Sequence, residues 1–119
     1  MKKIILAFDS FKGSVSAKEI SDALKSAIRQ VQPECEVLSF PIADGGEGTT
    51  DVLSDHLNAH KTNCLVHDPL MRTITSAYAI TQDGQTAIME MAAAAGLPLL
   101  TLQERNPLNT TTFGVGEID

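Results

Sequence analysis

Two short loops hold most of the residues that could bind or move a phosphate. The first, Asp9-Ser10-Phe11-Lys12-Gly13-Ser14, sets a carboxylate, two hydroxyls, an ammonium and a glycine within six positions. Asp9 can take a proton from a hydroxyl or hold a metal, and Lys12 can reach phosphate or carboxylate oxygens. Ser10 and Ser14 can donate hydrogen bonds to a bound group, or simply cap and brace the loop. The second loop is Ala43-Asp44-Gly45-Gly46-Glu47-Gly48-Thr49-Thr50. Gly45, Gly46 and Gly48 permit positive φ, so main-chain N–H groups can close around an anion at the start of a following helix. Its two acids repel a bare phosphate, which favours Asp44 and Glu47 as metal ligands or as partners of substrate hydroxyls. Neither loop has the Gly-x-x-x-x-Gly-Lys-Ser/Thr or the Gly-x-Gly-x-x-Gly spacing, so neither locates a nucleotide.

The elements around these loops set where they lie. Lys3–Phe8 is a near-continuous apolar run, as expected of a buried parallel strand. Ser16 and Glu19 form a capping-box pattern. Ile20, Ala23, Leu24, Ala27, Ile28 and Val31 then recur at helical spacing, and Pro33 ends the helix. Glu36–Pro41 is a second strand. The unit is a right-handed β-α-β crossover, which puts both loops at the carboxyl edge of a parallel sheet, where open α/β folds bind ligands. A second helix is expected from about Gly46–Thr49 to Leu57. Beyond it, Thr62–Val66, Thr73–Ile80 and Gln85–Met91 read as strands, with turn signals at His67-Asp68-Pro69 and Gln82-Asp83-Gly84. Met91–Ala95 is a short helical stretch before Gly96 and Pro98, and Thr110–Thr112 looks like the cap of a helix that would lie beyond Asp119.

The expected fold class is therefore α/β: a parallel, doubly wound, flavodoxin- or Rossmann-like β-α-β-α start, followed by a more antiparallel, β-rich second sub-domain. Residues 1–60 are assigned to the first part and 61–119 to the second.

Bulk properties narrow the function. With 43% hydrophobic and 20% charged residues the composition is that of an ordinary globular protein. The net charge of -6 argues against a nucleic-acid partner. The apolar run before Asp9 is too short for a signal peptide, and no stretch approaches a membrane span, so a cytoplasmic location is expected. Cys35 and Cys64 match no metal spacing and read as free thiols. His56, His60 and His67 match no ligand spacing and read as surface or helix-end residues.

The strings DSFKGS with SAKE, PIADGGEGT, and RNPL through TTTFG and GE occur in order along the whole chain, and together they resemble the glycerate kinase family of the type without a P-loop. Phe8 stands where that family commonly has proline, and Met91 and Ala95 where it commonly has small hydroxyl residues. Family members are much longer, so the chain looks like the amino-terminal part of one, expected to be inactive alone. The resemblance implies ATP-dependent phosphorylation of a D-glycerate hydroxyl with Mg²⁺, in a cleft between two α/β domains, the second one inserted. It implies catalytic roles for Asp9, Lys12 and Asp44, with Ser10, Ser14 and the Gly45–Gly48 loop on substrate or phosphate. Asp44 and Glu47 would serve the metal. Glu90, a charge in an apolar stretch, needs either a partner or a function, and the resemblance makes it line the site. Arg105 offers a guanidinium fork suited to a carboxylate such as that of glycerate, beside Asn106, Thr110, Thr111 and Thr112; a structural acid would suit it equally. On the residues alone two other classes stay open, a receiver-like Mg²⁺-binding module and a hydroxy-acid-binding module.

Overall fold

The computed structural model describes residues 3–118. The chain divides between Asp44 and Gly45 into two compact units.

In the first unit, strands β1 (Lys3–Leu6) and β2 (Glu36–Ser39) pair in parallel with Ile4 opposite Val37 and Leu6 opposite Ser39. Helix α1 (Ala17–Val31) makes the crossover. The strands are shorter than the apolar runs that encode them, yet main-chain bonds continue past their carboxyl ends: Phe40 N–H donates to the Leu6 carbonyl at 2.8 Å and Ile42 N–H to that of Phe8 at 2.9 Å. α1 starts on the expected capping box, with the Ser16 hydroxyl accepting from Glu19 N–H at 3.2 Å and Glu19 returning a bond to Ser16 N–H at 2.9 Å. The charged hydrogen bonding lowers the pKa of Glu19, the Ser16 hydroxyl first among the causes.

Leu6, Cys35 and Val37 form the core of this unit, packed by Ile4, Phe8, Leu24 and Ile28. Burying each such aliphatic side chain contributes about 1.5–3 kcal/mol. The helix face is rotated from the one the apolar stripe suggests. Ala17 and Ser21 are buried, whereas Val31 is 80% exposed. Small side chains let the helix lie close on the sheet, and the larger residues flank that line of contact. Strand alternation leaves Ile5, opposite Leu38 in register, on the other face, largely exposed.

The second unit contains α2 (Thr49–Leu57) and strands β3 (His60–His67), β4 (Thr73–Ile80) and β5 (Ala87–Ile88), then a short helix α3 (Ala92–Ala95). Single 3₁₀ turns follow at Leu97–Leu99, Leu102–Glu104 and Phe113–Glu117. The three strands are antiparallel in the order β3-β4-β5, with Val66 opposite Ile74 and Ala79 opposite Ile88. Alternation turns Cys64, Val66, Ile74 and Tyr78 to one side, where Ala94, Val115 and Ile118 complete a core. α2 touches β4 and β5.

The mixed α/β class, parallel first and antiparallel second, is the expected one. α2 belongs to the second compact unit, which begins at Gly45. Two details differ. The strand expected over Gln85–Met91 is only Ala87–Ile88, because Met89 and Glu90 leave the sheet and carry the Glu90 carboxylate to the start of α2. Thr110–Thr112 leads into the 3₁₀ turn Phe113–Glu117 rather than into a described α-helix.

Candidate functional site

The first motif is a tight turn at the carboxyl end of β1. Phe11 and Val15 bridge each other, with Phe11 N–H donating to Val15 at 2.9 Å and Ser14 N–H to Phe11 at 2.8 Å. Gly13 closes the turn at φ 74°, a left-handed conformation that explains the glycine. Asp9 braces the entrance, its Oδ1 accepting from Ser10 N–H at 2.6 Å. Lys12 sits at the tip and pairs with Asp44 at 3.6 Å, both side chains being more than half exposed. The ammonium of one motif and the carboxylate of the other are thus brought together at the edge where β1 and β2 end. An exposed pair at this distance holds by well under 1 kcal/mol, so Lys12 can exchange Asp44 for an arriving anion at little cost.

The second motif continues into α2. Gly45 and Gly48 have φ of 94° and 88°, and Gly48 is the N-cap. The N–H groups expected to cradle an anion already hold one. Glu90 Oε1 accepts from Gly48 N–H at 3.1 Å and its Oε2 from Thr50 N–H at 2.8 Å. The charge in the apolar stretch has found a main-chain partner some forty residues upstream. The hydroxyls of Thr49 and Thr50 are buried there with no hydrogen-bond partner among the described residues.

Arg105, Asn106 and Thr110–Thr112 all lie in the second unit, where Arg105, Asn106 and Thr111 have local partners. The Arg105 guanidinium donates to the Leu97 carbonyl at 3.3 Å. Asn106 Oδ1 accepts from Leu108 N–H at 3.0 Å, an Asx turn. Thr111 N–H donates to the Pro69 carbonyl at 3.0 Å, and its hydroxyl accepts from Phe113 N–H at 3.1 Å.

Two clusters escaped the sequence reading. Asp68, read only as part of a turn signal, is 2% exposed and accepts from Leu70 N–H at 2.8 Å, Arg72 N–H at 2.9 Å and Arg72 Nε at 2.5 Å. Burial pushes its pKa up, but the Arg72 and Leu70 donors outweigh that, and the net shift is downward. Arg72 also reaches Glu104 at 2.8 Å and the Leu99 carbonyl at 3.1 Å, which makes it the hub of the turn. The second cluster joins His67 and Glu117. Glu117 accepts from His67 N–H at 2.8 Å and from Nδ1 at 3.0 Å, and its pKa is lowered, chiefly by that main-chain donor. His67 is therefore half-buried and paired rather than a plain surface residue. Beside it Gly114 lies so close that a Cβ would stand 1.7 Å from the His67 carbonyl oxygen.

Cys35 and Cys64 are free, as expected. No helix among the described residues is long and apolar enough to cross a membrane. No group of three or more His, Cys, Asp or Glu side chains among them could hold a metal ion without help.

Fold and loops define an α/β protein with a charged loop at the carboxyl edge of a parallel strand pair. The comparisons with known proteins narrow this. A model of the glycerate kinase family matches residues 4–118. The chain is 42% identical over 116 residues to a glycerate kinase of Haemophilus influenzae, covering 98% of this chain and 31% of that protein. It is 40% identical over 116 residues to glycerate 2-kinase of Escherichia coli, covering 98% and 30%. A crystal structure assigned to glycerate kinase 2 from Salmonella typhimurium LT2 superposes with a TM-score of 0.73 at 37% identity, covering 98% of this chain and 31% of that one. The chain belongs to the glycerate kinase family. It spans about three-tenths of the length of the relatives it matches.

Proposed function

We infer that this chain contributes the amino-terminal wall of an enzyme that transfers the γ-phosphoryl group of ATP to a hydroxyl of D-glycerate in the cytoplasm. The observation that carries this reading is the Lys12–Asp44 pair, which links the two motifs that resemble the family. Phosphoryl transfer asks the protein chiefly for positioning and for charge on the moving group. Lys12, exposed at the tip of a hydrogen-bonded turn, supplies the positive charge. Asp44, or Asp9 at the end of β1, accepts the proton of the attacking hydroxyl. Ser10 and Ser14 orient the substrate. Arg105, with Asn106 and Thr110–Thr112, receives the glycerate carboxylate by exchanging the weak bond to Leu97 for a forked one.

Mg²⁺ on a nucleotide usually keeps several waters and takes only one or two protein carboxylates. Asp44 and Glu47 fit that mode. Held there, Mg²⁺ would offset the negative charge that develops on the phosphate during transfer. We also propose that β1-α1-β2 opens a doubly wound domain and that the antiparallel strands open a second one.

The antiparallel sheet and relatives named as glycerate kinases favour this reading over a receiver-like module, whose sheet is parallel throughout. The test is ATP-dependent phosphorylation of D-glycerate by the full-length natural polypeptide, with Asp44→Asn and Lys12→Met each expected to lower kcat by about a hundredfold or more. Full activity in both variants would refute it.

A further inference from the structure

We propose that Glu90 is a positioning residue for the glycine loop rather than a ligand of substrate or phosphate. The inference rests on the reading that this loop serves phosphoryl transfer. Both carboxylate oxygens of Glu90 are engaged, one with Gly48 N–H at 3.1 Å and the other with Thr50 N–H at 2.8 Å. These two donors are among the N–H groups that have no partner within the first turn of a helix, and they carry its positive end. An internal anion therefore fills the place that a phosphate would take.

The second half of the motif also has no side-chain cap of its own. Gly48 is the N-cap, has no side chain to accept from these amides, and stands at φ 88°. Without an external acceptor, two main-chain donors and a left-handed glycine would leave the turn into α2 loosely defined. Glu90 supplies what a Ser or Asp cap would supply elsewhere, and does so across 40 and 42 residues, tying the loop to the end of β5. Glu47 immediately precedes the anchored Gly48, so the direction in which its carboxylate leaves the chain is set by a bond that Glu90 holds. The partnerless buried hydroxyls of Thr49 and Thr50 add no competing anchor. An incoming phosphoryl group must then find its positive charge elsewhere.

The test uses the full-length natural polypeptide with MgATP and D-glycerate, and compares wild type, Glu90→Ala and Glu90→Gln. Amide hydrogen exchange at Gly48 and Thr50 is expected to quicken about tenfold or more in Glu90→Ala. kcat should fall by about tenfold while KM for D-glycerate stays within about threefold, and the pH profile of kcat should keep its shape, because no group in direct contact with substrate has been removed. Glu90→Gln keeps the side-chain shape and one acceptor oxygen, so it should fold and recover part of both losses. A large rise in KM with unchanged exchange would overturn the proposal in favour of direct substrate binding. Faster exchange with unchanged kcat would overturn it as well, since the ordering would then serve no step. Failure of the underlying reading is distinct: the wild-type protein would itself leave D-glycerate unphosphorylated, and that outcome overturns both.

Discussion

Gly114→Ala tests the docking of the Phe113–Glu117 turn most directly. A methyl group at this position would stand 1.7 Å from the His67 carbonyl oxygen and 2.8 Å from its carbon, both main-chain atoms. Carbon–oxygen contacts settle near 3.3 Å, so the two segments must part by about 1.5 Å. The Glu117 bonds to His67, at 2.8 and 3.0 Å, do not survive such a shift. Nor does the packing of Val115 and Ile118 on Val66 and Ala94. Two aliphatic side chains at about 1.5–3 kcal/mol each bound the loss near 3–6 kcal/mol, and compactness of the unfolded chain trims it to about 2–5 kcal/mol. The assay is urea unfolding followed by Tyr78 fluorescence, with Gly116→Ala as the control. Gly116 has open space around its Cβ position, so that variant should change stability by less than about 0.5 kcal/mol. If Gly114→Ala were equally neutral, the turn would not be held against β3, and the argument from close approach would fail.

Three further outcomes follow from other features. Asp68→Ala should cost about 2–4 kcal/mol, because it strips three donors of a buried acceptor, and equilibrium unfolding measures it. The folded pKa of Asp68 lies below its ordinary 3.8, so the stability it contributes is present above that value and disappears as pH falls through the depressed one; below about pH 4 the wild type should lose stability more steeply than Asp68→Ala in acid titration. Met71 holds φ 62° with its side chain half exposed, so Met71→Gly should relieve left-handed strain and raise stability by about 0.5–1 kcal/mol, read as a higher Tm. Ser16→Ala removes the α1 cap and should cost about 1 kcal/mol, seen as a lower urea midpoint.

What could be read in advance was what neighbours in sequence determine. Ser16 and Glu19 are three residues apart, and their reciprocal bonds are local, so the start of α1 was legible to the residue. Turn signals on both sides bracketed β4, whose expected span, Thr73–Ile80, is the observed one. The apolar stripe of α1 showed the helix and, through Leu24 and Ile28, part of its packed face, but hydrophobicity alone does not record that the small Ala17 and Ser21 are its buried residues. Glu90 was marked as a charge in need of a partner, yet its partners were main-chain amides, which have no signature in the sequence. Asp68 and Glu117 were missed for the same reason: each carboxylate is fixed largely by N–H groups that every residue type carries. Where the candidate residues sit was therefore easier to read than what holds them.

The two thiols give the molecule a pair of internal clocks. Cys35 lies in the core of the first unit and Cys64 against the core of the second, one reporter in each. A thiol-reactive dye can modify Cys35 only when the first unit opens, so its labelling rate counts those openings one unit at a time. Cys64 is partly accessible and should label faster, at a rate set by the fraying of β3 against β4. Any ligand that steadies one unit alone would slow one clock and leave the other running, which turns an unmodified chain into its own map of where binding energy is felt.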